Sequence, residues 1–244
     1  MVEKVTQIHL EKVNSTNTYA KENYSHFDLS KITRITANEQ TAGRGRFKRS
    51  WVSPKGENIY LSYFFTIDKT VMDLNNIAQI LSLSITKTLN KIGLSPHIKW
   101  PNDVLVNGKK IAGILCETID LHEKFGVILG TGINVNMSKE TLDQIDQPAT
   151  SLLVELGEKQ ELDSLIKMLE GFFLEDYRLF QRDGFKPFYM SYDALLTHKG
   201  QPISLKQNGH IISGTLHSLN PDGRLNILLD NGEIQTLSSG EIKK

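Results

Sequence analysis

Cysteine is almost absent from the sequence, since Cys116 is the only one in 244 residues. A single thiol excludes an intramolecular disulfide, which favours a protein of a reducing compartment such as the cytoplasm. The N-terminal stretch MVEKVTQIHL has no apolar run typical of a signal peptide, and no window approaches the length of a membrane span. We therefore expect a cytoplasmic protein without membrane attachment.

Net charge is absent as well, because 28 lysines and arginines balance 28 aspartates and glutamates. Bulk binding to nucleic acid or to an anionic membrane normally needs a basic face, so neutrality argues against both partners. It does not exclude one local basic patch. The stretch GRGRFKRS, residues 43–50, is such a patch, with four cations and two glycines in eight residues.

The remaining composition is ordinary for a soluble globular protein, with 39% hydrophobic and 23% charged residues. Alternating or β-rich segments predict strands at residues 5–13, 31–37, 58–67, 97–100, 103–106, 109–119 and 126–136. Helices are predicted after the N-cap Ser15 or Asn14, from the N-cap Asp73 to residue 92, and over residues 161–182 and 186–197. From residue 199 onward, short strands alternate with NG and PDG turns, which predicts a small closed antiparallel β unit and a domain boundary near residue 197.

The basic patch lies in a long polar loop, residues 38–57, between two predicted strands. Gly43 and Gly45 permit close backbone approach, and Arg44, Arg46 and Arg49 can bind an anion through guanidinium groups. A solvated charged loop is the alternative. The loop lacks the Walker A pattern, and it lacks the third glycine of a dinucleotide-binding loop. We also expect no parallel βαβ unit around it.

A second polar cluster lies in KWPNDVLVNGKKIAGIL, residues 99–115. The Asn-Gly pair within it predicts a tight hairpin that folds Lys110 back toward Lys99, Asn102 and Asp103. Asp103 could hold a metal ion or pair with one of the lysines. Solvated edge charges are the alternative interpretation.

Two weaker motifs flank these clusters. In STN, residues 15–17, the side chains can cap a helix, and a helix N-terminus can also bind a small polar ligand. In GTGINVN, residues 130–136, the glycines indicate a close approach to the backbone, or simply a bulge or turn. Strand alternation would place Asn134 and Asn136 on one face.

Taken together and in this order, six segments resemble the biotin protein ligases, the biotin–[acetyl-CoA-carboxylase] ligase family: STN, QTAGRGRFKRSW, GENIYLS, KWPNDV, KKIAGIL and GTGINVN. The resemblance implies an α+β fold. Residues 1–197 would form a catalytic domain related to class II aminoacyl-tRNA synthetases, a mixed sheet backed by helices, and residues 198–244 a small Src-homology-like β-barrel. Because the first strand begins within ten residues, we expect the monofunctional type without an N-terminal DNA-binding domain.

One position departs from the family pattern. The loop usually has the form GRGRxGRxW, whereas Lys48 here replaces the third glycine of that pattern. The arginines and Trp51 keep their places. Loop flexibility and retention of the reaction intermediate are the properties that this difference puts in doubt.

The resemblance also implies a reaction in which biotin and ATP, with Mg²⁺, form biotinyl-5′-AMP, and a lysine of a biotin carboxyl carrier domain then accepts the biotin. The implied biotin-binding residues are Ser15, Thr16, Asn17, Gln40, Gly43, Arg44, Gly45, Arg46, Lys110 and Gly113. The implied ATP and adenylate residues are Arg46, Arg49, Trp51, Lys99, Asn102 and Asn134. The implied catalytic residues are Lys110, Arg44 and Asp103. Mg²⁺ would be bound mainly by the ATP phosphates, with Asp103 as an additional ligand in one interpretation.

Two alternative functions remain at this point. A lipoate or octanoate ligase shares the fold and the adenylate chemistry, and it would label its carrier with lipoate but not biotin. A non-enzymatic biotin-binding regulator would bind biotin without ATP turnover, and would need a DNA-reading element that the neutral charge disfavours. Some family members form homodimers and others are monomers, so the sequence leaves the oligomeric state open.

Overall fold

The computed structural model describes residues 4–70, 74–207 and 209–243. The strands of the larger sheet are β1 (Val5–Leu10), β2 (Ile32–Ala37), β3 (Ile59–Asp68), β4 (Pro96–Lys99), β5 (Asp103–Val106), β6 (Lys109–Leu121) and β7 (Lys124–Ile133). The helices are α1 (Thr16–Asn23), α2 (Asn75–Lys91), α3 (Lys139–Leu142), α4 (Leu152–Leu156), α5 (Leu162–Asp183) and α6 (Tyr189–Leu195). The smaller sheet has β8 (Pro202–Gln207), β9 (His210–Leu219), β10 (Leu225–Leu228), β11 (Ile234–Leu237) and β12 (Glu241–Lys243). Short 3₁₀ turns cover Tyr24–His26, Arg46–Lys48 and Lys186–Phe188.

The larger sheet is mixed, with the strand order β1-β2-β3-β7-β6-β5-β4. Strands β1 and β2 are parallel and are joined through α1, whereas the other neighbours are antiparallel. A parallel βαβ unit, β1-α1-β2, therefore precedes the basic loop, which the sequence did not indicate. The loop follows β2 and does not connect the two parallel strands, so it is not placed like a dinucleotide-binding loop. The predicted α+β class, a mixed sheet with helices, is confirmed.

Helices cover both faces of this sheet. On one face α2 and α5 pack over β3, β6 and β7, and on the other α1 packs on Ile35, Phe64 and Ile128. Helix α2 is buried beyond its predicted apolar stripe, because hydroxyl groups on its other sides donate back to helix carbonyls, for example Thr88 to Ser84. The predicted N-cap, Asp73, lies outside the described residues.

The contact between α2 and α5 contains a buried carboxylate. Asp176 accepts a hydrogen bond from Ser84 Oγ at 2.9 Å and pairs with Lys87 Nζ. The pair is asymmetric, because the Lys87 side chain is 43% exposed and that of Asp176 only 3%. Substituting Lys87 and substituting Asp176 should therefore lower the free energy of unfolding by different amounts.

We expect Lys87→Met to lower the free energy of unfolding by about 3 kcal/mol and Asp176→Asn by about 1 kcal/mol. An unpaired lysine at position 87 can be hydrated, whereas an unpaired carboxylate at position 176 stays buried. Denaturant unfolding of the two variants measures both losses. A loss in Asp176→Asn equal to or greater than that in Lys87→Met would contradict the assignment.

The predicted hairpin is present between β5 and β6. Asn107 and Gly108 both have positive φ, 51° and 74°, as a primed two-residue turn requires. The pairing then skips Ile111, because Leu105 pairs with Lys110 and Val104 with Ala112. This bulge turns Lys110 onto the face of the sheet that carries Gly113, where its Cε lies 3.0 Å from an ideal Cβ at Gly113.

The smaller sheet is antiparallel, with the order β11-β10-β9-β8-β12. Within the described ranges no pairing joins β11 to β12, so a closed unit stays a prediction, as does the boundary near residue 197. Across the same ranges, no helix is both long and apolar enough to cross a membrane.

A turn of the smaller sheet attaches it to the larger one. The carbonyl of Gly223 accepts hydrogen bonds from Gln79 Nε2 at 2.8 Å and from Trp100 Nε1 at 3.1 Å, and Asn76 Nδ2 donates to the carbonyl of Asp222 at 3.0 Å. Trp100 precedes the cis peptide bond to Pro101. The turn therefore holds the segment that carries the predicted site residue Asn102, which follows Pro101.

Candidate active site

A cleft on the α1 face of the larger sheet collects the predicted site residues. The cleft is open to solvent, and its empty volume is about 950 Å³ including the open mouth. The predicted residues that line it are Ser15, Thr16, Asn17, Gln40, Arg44, Gly45, Arg46, Arg49, Trp51, Lys99, Asn102, Asp103, Lys110 and Gly113. Gly43 and Asn134 do not line it.

The floor of the cleft is made of glycines from the adjacent strands β6 and β7. Gly113 pairs with Gly132, and Gly130 follows on the same face two residues earlier in β7. An ideal Cβ would lie 2.0 Å from Asn17 Oδ1 at Gly130 and 2.3 Å from Trp51 Nε1 at Gly132. Any side chain at these positions would therefore displace the groups that face the cleft.

One end of the cleft is a hydrogen-bonded polar cluster at the start of α1. Gln40 Oε1 accepts from the backbone N–H of Thr16 at 2.9 Å, and Ser62 Oγ donates to Asn17 Oδ1 at 2.6 Å. Ser15 occupies the N-cap position as predicted, but its side chain makes no capping hydrogen bond. Its hydroxyl is therefore not used for capping.

Lys110 and Asp103 meet at the other end of the floor. Lys110 Nζ lies 2.8 Å from Asp103 Oδ1 and 5.3 Å from the centre of the Trp51 ring. Of the two pairings considered for Asp103, the structure contains the one with Lys110. Lys99 and Asn102 line the same end of the cleft.

The basic loop folds over the cleft as a small hairpin. The backbone N–H of Trp51 donates to the carbonyl of Gly43, and that of Gly45 donates to the carbonyl of Arg49, both at 2.8 Å. Gly43 does not reach the cleft, because it lies where the hairpin closes. An ideal Cβ at Gly43 would be 2.6 Å from Ser53 Oγ and from the carbonyl of Trp51.

Each loop arginine has a partner on a different element. Arg44 pairs with Glu117 on β6 at 2.9 Å, and Arg49 pairs with Glu241 on β12. Arg46 NH1 donates to Asn102 Oδ1 at 2.9 Å and to the carbonyl of Gly240 at 3.1 Å. The side chain of Lys48, the residue that departs from the family pattern, lies outside the described residues.

Burial lowers the pKa of the Arg46 guanidinium, and the carboxylates of Asp103 and Glu241 oppose that shift. An arginine remains charged under such conditions. A partly desolvated cation gains more from an arriving anion than a hydrated one does, so Arg46 is suited to bind a phosphate.

Asn134 is placed differently from the prediction, because β7 ends at Ile133 and strand alternation stops there. Asn134 is buried and its Nδ2 donates to the carbonyl of Thr150 at 3.0 Å. Asn136 exchanges hydrogen bonds with the backbone of Gln160 instead. Both asparagines hold the segment after β7 and do not contact the cleft.

Three residues of the site escaped sequence reasoning. Glu117 could have been found from strand alternation, since it lies on the face of Gly113 four residues further along β6. Ser62 is a fully buried hydroxyl in a strand predicted only as core. Glu241 gives no local signal, because its role depends on a contact between the two sheets.

Within the described ranges, no three or more His, Cys, Asp or Glu side chains are grouped so that they could hold a metal ion. The carboxylates that line the cleft, Asp103 and Glu241, are both paired with cations. The donor set therefore fits a metal ion that arrives on a phosphate ligand better than a resident one.

Comparison with known proteins agrees with this geometry. Residues 10–134 match the model of the biotin/lipoate A/B protein ligase family, and residues 198–244 match the biotin protein ligase C terminal domain. The biotin protein ligase from Aquifex aeolicus in complex with biotin and ATP has 30% identity and a TM-score of 0.83, over 98% of this chain and 97% of that one.

Two curated proteins that are similar to this chain point to the same family. The bifunctional ligase/repressor BirA of Bacillus subtilis is 29% identical over 86% of this chain, which spans 66% of that protein. The biotin–[acetyl-CoA-carboxylase] ligase of Mycobacterium tuberculosis is 36% identical over 49% of this chain and 44% of its own length. The chain therefore belongs to the biotin/lipoate A/B protein ligase family and, within it, to the biotin protein ligases.

Proposed function

We propose that the protein is an ATP-dependent biotin–[acetyl-CoA-carboxylase] ligase. A carboxylate oxygen of biotin attacks the α-phosphorus of ATP, which forms biotinyl-5′-AMP and releases pyrophosphate. The amine of a lysine on a biotin carboxyl carrier domain then attacks the acyl carbon, which forms an amide and releases AMP and a proton. The observation that carries the proposal is the cleft itself, which joins a polar end, a glycine floor and a cationic end.

The polar end and the floor suit the two parts of biotin. The ureido group has N–H donors and a carbonyl acceptor, and the cluster of Ser15, Thr16, Asn17 and Gln40 offers both kinds of partner. The apolar bicycle can lie on the glycine floor, where no Cβ intrudes. This assignment leaves the carboxylate of biotin directed toward Lys110.

The cationic end lowers the repulsion between the carboxylate and the triphosphate. Lys110, Arg44 and Arg46 supply positive charge at the point where two anions must meet, so the site acts by positioning and charge stabilisation. Lys110 is proposed to contact both the carboxylate and the α-phosphate. Arg49 and Asn102 are proposed to contact the nucleotide from the loop and from the β4–β5 turn.

The position of Trp51 favours a contact with biotin near its carboxylate over a contact with adenine. Its ring lies on Gly132 and beside Lys110, and its Nε1 is buried without a hydrogen-bond partner in the described part of the chain. We therefore propose that it covers the biotin chain near the carboxylate. The folded loop around it would also exclude water from the reactive adenylate.

The acceptor lysine must lose a proton, since its free pKa is about 10.4. Asp103 is the carboxylate nearest to Lys110, and it is proposed to attract the acceptor amine or to take its proton. Mg²⁺ would enter with ATP and neutralise phosphate charge, with Asp103 as the additional protein ligand. The carrier domain is proposed from the family resemblance and a cytoplasmic location from the sequence, whereas neither chooses between a monomer and a homodimer.

The family model covers lipoate ligases too, so the first point to test is whether biotin or lipoate is the carboxylic acid that the protein activates. Exchange of labelled pyrophosphate into ATP should depend on biotin, with lipoate as the parallel substrate. Exchange with lipoate alone would replace biotin by lipoate in this proposal. Biotin binding without exchange, and without labelling of an added carrier domain, would instead support a binding-only regulator.

A further inference from the structure

Glu117 on β6 contacts two parts of the cleft that come from distant segments of the chain. Its Oε2 accepts a hydrogen bond from Asn17 Nδ2 in α1 and another from Arg44 NH2 in the loop, both at 2.9 Å. Its side chain is 23% exposed, and the carboxylate lies beside the cleft, because both of its partners line it. One carboxylate thus joins the polar end of the cleft to the basic loop.

The first contact fixes the orientation of the Asn17 amide. Asn17 Nδ2 also donates to the carbonyl of Leu115 at 3.2 Å, and Asn17 Oδ1 accepts from Ser62 Oγ at 2.6 Å. A reversed amide would place its oxygen against two acceptors on β6, Leu115 and Glu117. The observed orientation leaves one lone pair of Oδ1 for a donor on a ligand, such as an N–H group.

The second contact fixes the loop. The backbone of Arg44 forms an isolated β-bridge with Ser50, so the guanidinium that binds Glu117 belongs to the base of the hairpin. Holding Arg44 on β6 therefore holds both arms of residues 44–50. The Arg44 side chain is 40% exposed, so this pair contributes little to global stability, but it can restrain a local segment.

We propose that Glu117 is a positioning residue that couples the polar end of the cleft to the basic loop. Its carboxylate orients the Asn17 amide toward biotin and holds Arg44 over the cleft before ATP arrives. The first half of this inference rests on the proposed function, because it takes biotin as the ligand of the polar end. The second half concerns the ligand-free protein and is independent of the reaction.

Two substitutions separate the halves. Glu117→Gln keeps an oxygen that can accept from Asn17 but removes the charge that holds Arg44, whereas Glu117→Ala removes both. Asp120→Asn is the matched control, because Asp120 lies on the same strand and pairs with Lys69 at 2.6 Å away from the cleft. All three variants remove one negative charge.

Limited trypsin digestion of the ligand-free proteins, followed by mass spectrometry, measures cleavage within residues 44–49. We expect cleavage to rise about two- to fivefold in both Glu117 variants and to stay unchanged in Asp120→Asn. Titration calorimetry measures biotin. We expect the Kd to stay within about twofold in Glu117→Gln and to rise about tenfold in Glu117→Ala.

The proposal is overturned if loop cleavage in Glu117→Gln does not exceed that in the control, or if Glu117→Ala binds biotin like the wild type. Equal losses of affinity in the two variants would also overturn it, since the glutamine should rescue the amide contact. Melting temperatures show whether each variant is folded, and Glu117→Gln keeps the size of the side chain. If the wild type binds no biotin, the proposed function fails, and loop cleavage alone decides whether Glu117 holds Arg44.

Discussion

Replacing Lys110 with alanine is expected to lower the rate of biotin-dependent pyrophosphate exchange by about 10²- to 10³-fold, the effect of losing one preorganised charge donor. The β-bulge at Ile111 directs Lys110 across the face of Gly113 and within 2.8 Å of Asp103. Lys99, the other lysine of the cleft lining, comes from a different strand, β4, and is not proposed to replace Lys110. Biotin binding should survive in part, since the polar end of the cleft is untouched.

Lys109→Ala provides the control for this change. Lys109 is the preceding residue of the same strand, but it is exposed and does not line the cleft. The Lys109→Ala substitution removes one positive charge from the same hairpin, and this variant should exchange pyrophosphate at the wild-type rate. Near-normal exchange in Lys110→Ala, or equal losses in the two variants, would remove Lys110 from its proposed role.

Gly130→Ala is expected to raise the Kd for biotin by about 10- to 100-fold, in line with the cost of overpacking a well-packed site. The added methyl group would lie 2.0 Å from Asn17 Oδ1 and 2.8 Å from its Cγ. Asn17 cannot move aside cheaply, because it is buried and its amide is hydrogen-bonded to Ser62, Leu115 and Glu117. Titration calorimetry with biotin measures the change.

Gly171→Ala is the matched substitution. Gly171 lies inside α5, and apart from its chain neighbours and the backbone of its own helix no atom lies within 4 Å of an ideal Cβ. Alanine should therefore leave the Kd unchanged and add about 1 kcal/mol of helix stability. If Gly130→Ala has a lower melting temperature but binds biotin with the wild-type Kd, biotin does not bind at the polar end of the cleft.

The sequence predicted the parts of the site that depend on local chemistry. The hairpin at Asn107 and Gly108 follows from the positive φ that these residues adopt readily, and the glycines of β6 and β7 indicated a close approach. The pieces STN, GRGR and KKIAGIL carried the family resemblance in their correct order. Motif order and turn chemistry were therefore sufficient for the fold class.

The remaining features depend on contacts between distant segments, which periodicity does not encode. Asn17 and Glu117 are 100 positions apart, and Arg46 and the carbonyl of Gly240 are 194 apart. Asn134 was misplaced because a strand end, which alternation cannot locate, separates it from the sheet. The parallel pairing of β1 with β2 was missed because a helix as short as α1 gave no sign of a crossover.

The partners of the loop arginines have a consequence for ionic strength. Glu117 and Glu241 neutralise Arg44 and Arg49, and Arg46 is held by uncharged oxygens of the protein. An arriving triphosphate therefore replaces protein oxygens around Arg44, Arg46 and Arg49. Added salt should weaken ATP binding less than it weakens the binding of a polyanion to an open basic patch, because Arg44 and Arg49 are already paired with carboxylates of the protein.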